Sequence, residues 1–194
     1  KALSKFKQVQ KHLAKETHRL IGISNFKNIG DVVDQAYETV KDKLNLSPEK
    51  RRDVDQEYAK VAAKLANFPI AKTGPFFDAP ERKEKGSGGL LSITVNPESC
   101  KGCMECVEVC PDGALITLPQ TDELVDDLRR NWSTWRNLPE TNPRFVNIAN
   151  LDEGIGTLSS MMIQRSVYES MLGGDGACMG CGEKTNIHLV LSAL

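Results

Sequence analysis

The sequence lacks an apolar run long enough to cross a membrane, and its first residues lack the charged-then-apolar pattern of a signal peptide. It has no basic block of the kind that binds nucleic acid and no acidic tail, because 25 Lys and Arg residues balance 26 Asp and Glu residues at a net charge of -1. We therefore expect a soluble, cytoplasmic protein with no nucleic-acid and no membrane partner. Its 194 residues are enough for one domain or two small ones.

The chain has six cysteines, and four of them stand in one short run. The run reads Cys-Lys-Gly-Cys-Met-Glu-Cys-Val-Glu-Val-Cys-Pro over residues 100–111, a C-x2-C-x2-C-x3-C-P pattern. Bacterial ferredoxins use this spacing to bind 4Fe-4S clusters, and the fourth cysteine of such a run ligates the neighbouring cluster. We predict that Cys100, Cys103 and Cys106 bind one cluster and that Cys110 binds a second.

Zinc binding and structural thiols are the alternatives for this run. A zinc site would group four ligands in two pairs. A disulfide framework would not place three cysteines within seven residues of a chain that looks cytosolic. The other two cysteines form a separate pair at Cys178 and Cys181, which could begin a third site. Six thiols are too few to supply four ligands to each of three sites. We therefore expect the missing ligands to come from chain beyond this sequence or from a partner subunit.

Apolar residues recur at helical spacing through residues 1–69. The pattern predicts helices over 1–21, 31–44 and 47–65, the last opened by a serine N-cap and a proline. Because the first and last residues of the sequence fall inside predicted helices, we expect a piece of a longer chain. The residues predicted to be buried in the three helices are Leu3, Phe6, Val9, Leu13, Leu20, Val32, Val33, Ala36, Tyr37, Val40, Leu44, Val54, Tyr58, Val61, Ala62 and Leu65.

Residues 70–89 lose this periodicity and are rich in proline and glycine, which predicts a linker. Alternating apolar residues over 91–95 predict a strand, and residues 114–118, after a Pro-Asp-Gly turn, predict a returning strand on the other side of the cysteine run. With a short helix beginning near Cys106, these elements make one half of a ferredoxin-like domain. Thr121 is predicted to cap the helix that follows.

A second motif, Gly-Gly-Asp-Gly-Ala-Cys-Met-Gly-Cys-Gly-Glu, occupies residues 173–183. Taken alone, its Cys-x-x-Cys pair could hold zinc, act as a redox pair or belong to an iron–sulfur cluster. Its Gly-Asp-Gly suggests the diphosphate-metal motif of thiamine enzymes, but that motif needs a preceding strand and a later pair of asparagines. No such pair occurs in the eighteen residues after Gly176, so we reject that assignment.

Together with the cysteine run upstream, Gly-Ala-Cys-Met-Gly-Cys-Gly-Glu resembles the start of the thiamine-diphosphate domain of pyruvate:ferredoxin (flavodoxin) oxidoreductases, in the fused form that carries its own ferredoxin domain. The resemblance runs from about Ile70 to Glu183. It implies that Cys178 and Cys181 are two ligands of the 4Fe-4S cluster nearest thiamine, and that Glu183 lies beside the thiamine site. The Lys-Thr-Asn at 184–186 departs from the Thr-Pro-Tyr that often follows this Glu in the family.

The resemblance also implies the architecture, an α+β chain that ends at the start of an α/β thiamine-diphosphate domain. Its parts would be a helical segment, a linker, a ferredoxin-like 4Fe-4S half-domain, a connector with helices and the thiamine-diphosphate start, over residues 1–69, 70–89, 90–119, 120–172 and 173–194. The cofactors implied are 4Fe-4S clusters, with thiamine diphosphate and Mg bound mostly outside this chain.

The function implied is that of a 2-oxoacid oxidoreductase, with pyruvate as the expected substrate and coenzyme A as the acyl acceptor. Electrons from the thiamine-bound hydroxyethyl intermediate would pass through the clusters to ferredoxin or flavodoxin. The expected partners are the remainder of the same enzyme and further copies of it in a homo-oligomer, and no catalytic acid or base is assigned to this chain. The alternatives are a stand-alone polyferredoxin without thiamine chemistry and a zinc-stabilised interaction module.

Overall fold

The computed structural model describes residues 7–44, 46–146, 156, 160, 162–170 and 182–193. The regular structure in these residues is helical. The elements are α1 (Lys7–Ile23), α2 (Ile29–Lys43), α3 (Pro48–Leu65), a π-helical turn (Gly74–Asp78), α4 (Ala79–Lys83), α5 (Glu105–Glu108), α6 (Asp122–Asn137), α7 (Pro143–Val146), α8 (Arg165–Ser170) and α9 (Gly182–Ala193). None of these helices is long and apolar enough to span a membrane.

The elements belong to two compact units. The first contains Lys1–Thr73 and Leu90–Asn137, and the second contains Gly74–Gly89 and Leu138–Leu194. The three long N-terminal helices and the cysteine run therefore fall in the first unit, and Glu183 falls in the second.

Helices α1, α2 and α3 form the hydrophobic core of the first unit. Helical periodicity predicts every residue of this core, so that part of the sequence prediction is confirmed. Leu3 and Phe6, which were predicted to join it, lie outside the described residues. The core residues are Val9, Leu13, Leu20, Val32, Val33, Ala36, Tyr37, Val54 and Tyr58.

Local sequence explains where α2 and α3 begin. Asn28 is the N-cap of α2, and its side-chain oxygen accepts a hydrogen bond from the N–H of Asp31 at 2.8 Å. Because of this cap, α2 begins at Ile29 and not at the predicted Asp31. Pro48 is the first residue of α3 as predicted, whereas Ser47 makes no side-chain capping hydrogen bond.

The start of α2 packs directly against the end of α3. The N–H of Ile29 donates to the carbonyl of Phe68 at 2.9 Å. A Cβ atom on Gly30 would lie 2.1 Å from the carbonyl oxygen of Ala66 and 2.9 Å from its carbonyl carbon. Gly30 therefore has no room for a side chain, because the atoms it faces are backbone and cannot turn aside.

The two predicted strands are not formed in the part of the chain that the structure describes. Leu91 makes a single antiparallel bridge with Ala71, with N–O distances of 2.8 and 2.9 Å. Residues 111–123 are exposed throughout and take part in no bridge. The expected α+β character is therefore not confirmed, because a strand needs backbone hydrogen bonds from a neighbouring strand and neither segment finds one among the described residues.

The segment 70–89, predicted to be a linker, is instead packed and partly helical. It contains the π-helical turn and α4, and Phe76 is buried. The glycines that suggested a linker permit this packing, since a Cβ on Gly89 would lie 2.5 Å from the ring of Phe145. Glu81 fixes the turn, because its two carboxylate oxygens accept N–H groups from two further glycines at 2.9 and 3.0 Å.

Helix α6 has the predicted cap and lies on the end of α3. The Thr121 hydroxyl accepts a hydrogen bond from the first turn of α6 at 3.2 Å. Asn131, which is buried, donates to the carbonyl of Asn67 at 3.3 Å, and Thr134 donates to the carbonyl of Lys64 at 3.0 Å. Polar bonds therefore attach α6, since none of its apolar side chains is fully buried.

In the second unit, Glu140 caps α8 from a distant part of the sequence. Its carboxylate accepts the N–H groups of Thr141, Arg165 and Ser166 at 2.9, 2.8 and 3.2 Å. Partial burial raises the pKa of Glu140, but the three N–H groups outweigh this effect and the pKa is lowered overall. The carboxylate therefore stays ionised at the helix N-terminus in more acidic solution than an ordinary glutamate would.

Substitution of Gly30 by Ala tests the contact between α2 and α3. We expect Gly30→Ala to lower the free energy of unfolding by about 2 kcal/mol, because the added Cβ overlaps the backbone of Ala66. The matched control is Gly22→Ala, also in a helix but with no atom within 4 Å of its Cβ, and it should raise stability by about 0.5 kcal/mol. Urea unfolding followed by circular dichroism measures both. Equal stabilisation by the two substitutions would contradict the close contact.

Candidate iron–sulfur centre

The backbone turns sharply on each side of Cys103. Gly102 has a φ of 63° and Met104 a φ of 67°, both in the left-handed region. Glycine adopts this region freely, whereas it costs an L-residue such as Met104 about 1–2 kcal/mol. The Cβ of Gly102 would meet no atom within 4 Å, so backbone conformation and not crowding is the reason for glycine here. Cys103, between the two turns, is exposed.

The approach to the run is a hydrogen-bonded turn. Asn96 accepts the N–H of Glu98 with its side chain at 3.1 Å, and its carbonyl accepts the N–H groups of Ser99 and Cys100 at 3.3 and 2.9 Å. An Asn-Pro pair favours a turn, and these hydrogen bonds form one at residues 96–100. It fixes where Cys100 enters the loop.

The short helix α5 carries Cys106 and ends just before Cys110. The N–H groups of Val107 and Glu108 donate to the carbonyl of Met104 at 2.9 and 3.1 Å, which closes the first turn. Cys110 lies two residues beyond the end of this helix, and its N–H donates to the carbonyl of Val107 at 3.4 Å. The predicted helix near Cys106 is confirmed.

Cys110 lies in a different environment from the other three cysteines. It is partly buried, and the N–H of Ala114 donates to its sulfur at 3.3 Å. This N–H group has the largest effect and lowers the pKa of the Cys110 thiol. Burial, the second largest effect, raises it, but the N–H groups of Asp112 and Leu115 add to the lowering and the pKa is lowered overall. A sulfur that accepts N–H bonds is stabilised as a thiolate, the form that binds metals.

Gly113 is the reason Ala114 can reach Cys110. Its φ of 58° reverses the chain after Pro111, and its own N–H donates to the carbonyl of Cys110 at 3.2 Å. The contact between Ala114 and Cys110 was not predicted from the sequence. The Pro-Asp-Gly sequence nevertheless predicts a turn. A turn brings the amide that follows it back towards the residue that precedes it.

The four thiols are close in sequence but do not form a ready-made ligand set. Cys100, Cys103 and Cys106 are exposed, Cys110 is partly buried, and none of the four is in a disulfide. Over the described stretches, no three Cys, His, Asp or Glu side chains converge as a metal site. The donor set nevertheless fits an iron–sulfur cluster, because soft thiolate ligands favour iron–sulfur clusters, zinc and Cu(I) and this loop offers four of them.

The structure describes only one of the predicted site residues in the second motif, Glu183. Cys178 and Cys181 lie outside the described residues, so their ligand role stays a prediction. Glu183 is the second residue of α9 and is exposed. An acid in the first turn of a helix is favourable, which accounts for Glu183 locally without a cofactor.

Comparison with known families defines the class of this region. The 4Fe-4S binding domain family matches residues 92–115, which include the whole cysteine run. The chain therefore contains a ferredoxin-type iron–sulfur domain, and an iron–sulfur cofactor is supported for it. No solved structure matches the chain significantly.

Several curated proteins are similar to this chain over more than half of its length. The chain is 34% identical over 136 residues to a putative pyruvate-flavodoxin oxidoreductase of Synechocystis sp., covering 66% of this chain and 10% of the relative. It is 34% identical over 119 residues to a mitochondrial pyruvate dehydrogenase [NADP(+)] of Euglena gracilis, with coverages of 58% and 6%. It is 26% identical over 129 residues to the pyruvate:ferredoxin oxidoreductase of Moorella thermoacetica, with coverages of 62% and 10%.

This chain is therefore a relative of the pyruvate-flavodoxin and pyruvate:ferredoxin oxidoreductases. The family resemblance stated from the motifs is confirmed. The chain spans about a tenth of the length of the first of the curated relatives that it matches.

Substitution of Cys103 tests whether the loop binds a cluster. We expect Cys103→Ser to remove about four iron atoms per chain after anaerobic purification, because one ligand of a 4Fe-4S cluster is lost. The control is Ser99→Ala, which changes a neighbouring side chain without removing a thiol and should leave the iron content unchanged. Iron and acid-labile sulfide are measured together. An unchanged iron content in Cys103→Ser would show that this loop is not a cluster site.

Proposed function

We propose that this chain conducts electrons through 4Fe-4S clusters within a 2-oxoacid oxidoreductase that acts on pyruvate. The observation that carries the proposal is the C-x2-C-x2-C-x3-C-P run, which lies inside the match to the 4Fe-4S binding domain family. The names of the related proteins, which contain both pyruvate and an electron carrier, support the choice of reaction.

The chain's own residues would hold the clusters in place. Cys100, Cys103 and Cys106 are proposed as ligands of one cluster, and Cys110 as a ligand of a second. A 4Fe-4S cluster accepts and releases electrons one at a time, which suits transfer to a one-electron carrier protein. The N–H of Ala114 would remain on the sulfur of Cys110 and stabilise its negative charge.

The charges near the run are mostly negative. Glu105, Glu108 and Asp112 are exposed close to the thiols, and Lys101 is the one basic residue between Cys100 and Pro111. Negative charge beside a cluster disfavours the addition of an electron and so lowers its reduction potential. A low potential is what an electron donor to ferredoxin or flavodoxin requires.

The second motif would join the electron path to the reaction. Cys178 and Cys181 are proposed as ligands of the cluster nearest thiamine, and Glu183 as a residue beside the thiamine site. Thiamine diphosphate with Mg, bound mostly by other parts of the enzyme, supplies the decarboxylation of the 2-oxoacid when present. We place the enzyme in the cytoplasm as a homo-oligomer, with coenzyme A as acyl acceptor.

The electron acceptor is ferredoxin or flavodoxin in this proposal. Two relatives are named pyruvate dehydrogenase [NADP(+)], which favours a second candidate in which the electrons continue to a nicotinamide. The run conducts electrons in either case, so the acceptor depends on chain outside this sequence.

Cofactor content tests the proposed function. The intact protein, purified without oxygen, should contain about twelve irons with matching sulfide and thiamine diphosphate. Pyruvate with coenzyme A should then bleach its brown colour, and an added flavodoxin should become reduced. About eight irons without thiamine would replace the proposal by a polyferredoxin, and zinc alone would exclude both.

The Cys103→Ser variant separates conduction from decarboxylation in the same protein. It should keep its thiamine and release carbon dioxide from pyruvate, but it should reduce flavodoxin much more slowly than Ser99→Ala does. Equal reduction of flavodoxin by the two variants would mean that electrons do not pass through this loop.

A further inference from the structure

Two tyrosines of the helical core stack face to face. Tyr37 on α2 and Tyr58 on α3 have ring centroids 3.6 Å apart and ring planes 5° from parallel. Their exposed fractions are 4% and 8%. The two rings therefore overlap fully and are shielded from solvent.

Each tyrosine donates its hydroxyl hydrogen to a carboxylate on the other helix. Tyr37 donates to Asp55 at 2.5 Å, and Tyr58 donates to Asp34 in an equally direct contact. Asp34 and Asp55 are themselves exposed. Each buried ring is thus joined, through one hydrogen bond, to a base that contacts water.

A sequence repeat generates this arrangement. Residues 33–40 read Val-Asp-Gln-Ala-Tyr-Glu-Thr-Val and residues 54–61 read Val-Asp-Gln-Glu-Tyr-Ala-Lys-Val, so both helices carry V-D-Q-x-Y-x-x-V. The aspartate precedes the tyrosine by three residues in each. In two antiparallel helices, this spacing places the tyrosine of each beside the aspartate of the other.

Simple packing does not favour the stacked geometry. Directly overlapped aromatic rings bring two electron-rich faces together, and neutral rings prefer offset or edge-to-face contacts with centroids about 4.5–7 Å apart. The same overlap becomes favourable when one electron is removed, because the positive charge is then shared by both rings. Burial, followed by the bond to the partner carboxylate, raises the pKa of both phenols, so each tyrosine stays protonated and bonded at neutral pH.

We propose that the Tyr37–Tyr58 pair is a one-electron oxidation site that quenches oxygen-derived radicals, with Asp34 and Asp55 as the proton acceptors. A peroxyl radical takes one electron from the pair and one proton from water and becomes a hydroperoxide. The oxidised tyrosine passes its phenolic proton to the bonded aspartate, which leaves a neutral tyrosyl radical and a carboxylic acid. A thiolate from solution returns one electron and becomes a thiyl radical, and the proton moves back from the aspartic acid to the phenol. This activity is independent of the proposed function.

The test detects the radical directly. The full chain, grown with ring-deuterated tyrosine, is oxidised by photogenerated ruthenium(III) tris(bipyridine), frozen and measured by electron paramagnetic resonance. Deuteration narrows a tyrosyl signal and leaves a tryptophanyl signal unchanged. We expect the narrowed signal in the parent chain, its loss in the double variant Tyr37→Phe and Tyr58→Phe, and its retention in Tyr168→Phe. Tyr168 is the third and last tyrosine of the chain and is the matched control.

Substitution of the aspartates distinguishes a redox role from a structural one. In Asp34→Asn with Asp55→Asn, the amide oxygens can still accept the hydroxyl bonds but are too weakly basic to take the proton. We expect this variant to keep its helical circular dichroism and to lose most of the tyrosyl signal. If the phenylalanine variant does not fold, the aspartate variant alone tests whether the tyrosine pair is the oxidation site. The proposal is overturned if the aspartate variant keeps the full signal, or if the signal resides on Tyr168 or on Trp132 and Trp135.

Discussion

The burial of apolar side chains is the constraint on which the rest of this structure depends. In the first unit it is concentrated where α1, α2 and α3 meet, and from residue 78 to residue 145 no apolar side chain is buried. Burial contributes about 25 cal/mol for each Å² of apolar surface, whereas ordering the backbone costs about 1–2 kcal/mol for each residue. The cysteine run buries almost no apolar surface, yet ordering its backbone has the full entropic cost. It therefore needs another source of order. Bonds between thiolates and iron would supply it, as structural metals do for small domains that have little core.

The protein and the cluster would therefore divide the work of building the site. The backbone contributes the turn at Asn96, the left-handed conformations at Gly102 and Gly113, and the N–H that Ala114 directs at Cys110. The convergence of the thiols is what the cluster would add, because three of them remain exposed without forming a ligand set in the described residues. This division explains why cysteine spacing alone is such a strong signal: the ligands need to be within reach of one cluster and do not need a preformed cavity.

Sequence reasoning succeeded where the determinant is local. Helical periodicity identified the core residues of α1, α2 and α3, because the spacing of apolar residues in a helix follows from its geometry. It failed for the strands at 91–95 and 114–118, whose formation depends on a partner segment. It also did not foresee the short helices within residues 70–89 or the close packing of Gly89 against Phe145. The tyrosine pair depends both on local sequence and on how two helices pack. The V-D-Q-x-Y-x-x-V repeat is visible in the sequence, but its meaning depends on two helices meeting in one register. The identity of the candidate ligands followed from spacing, whereas the exposure of Cys103 and the N–H bond to Cys110 needed coordinates.

Amide hydrogen exchange tests most directly whether a cluster orders the cysteine run. The intact protein is compared as purified without oxygen and again after its iron has been removed by oxidation and chelation. Removal of iron should greatly increase exchange over residues 100–118, including the Ala114 amide, and should leave the amides of α1, α2 and α3 unchanged. Equal exchange over residues 100–118 in the two samples would contradict the account, because the run would then hold its structure without metal.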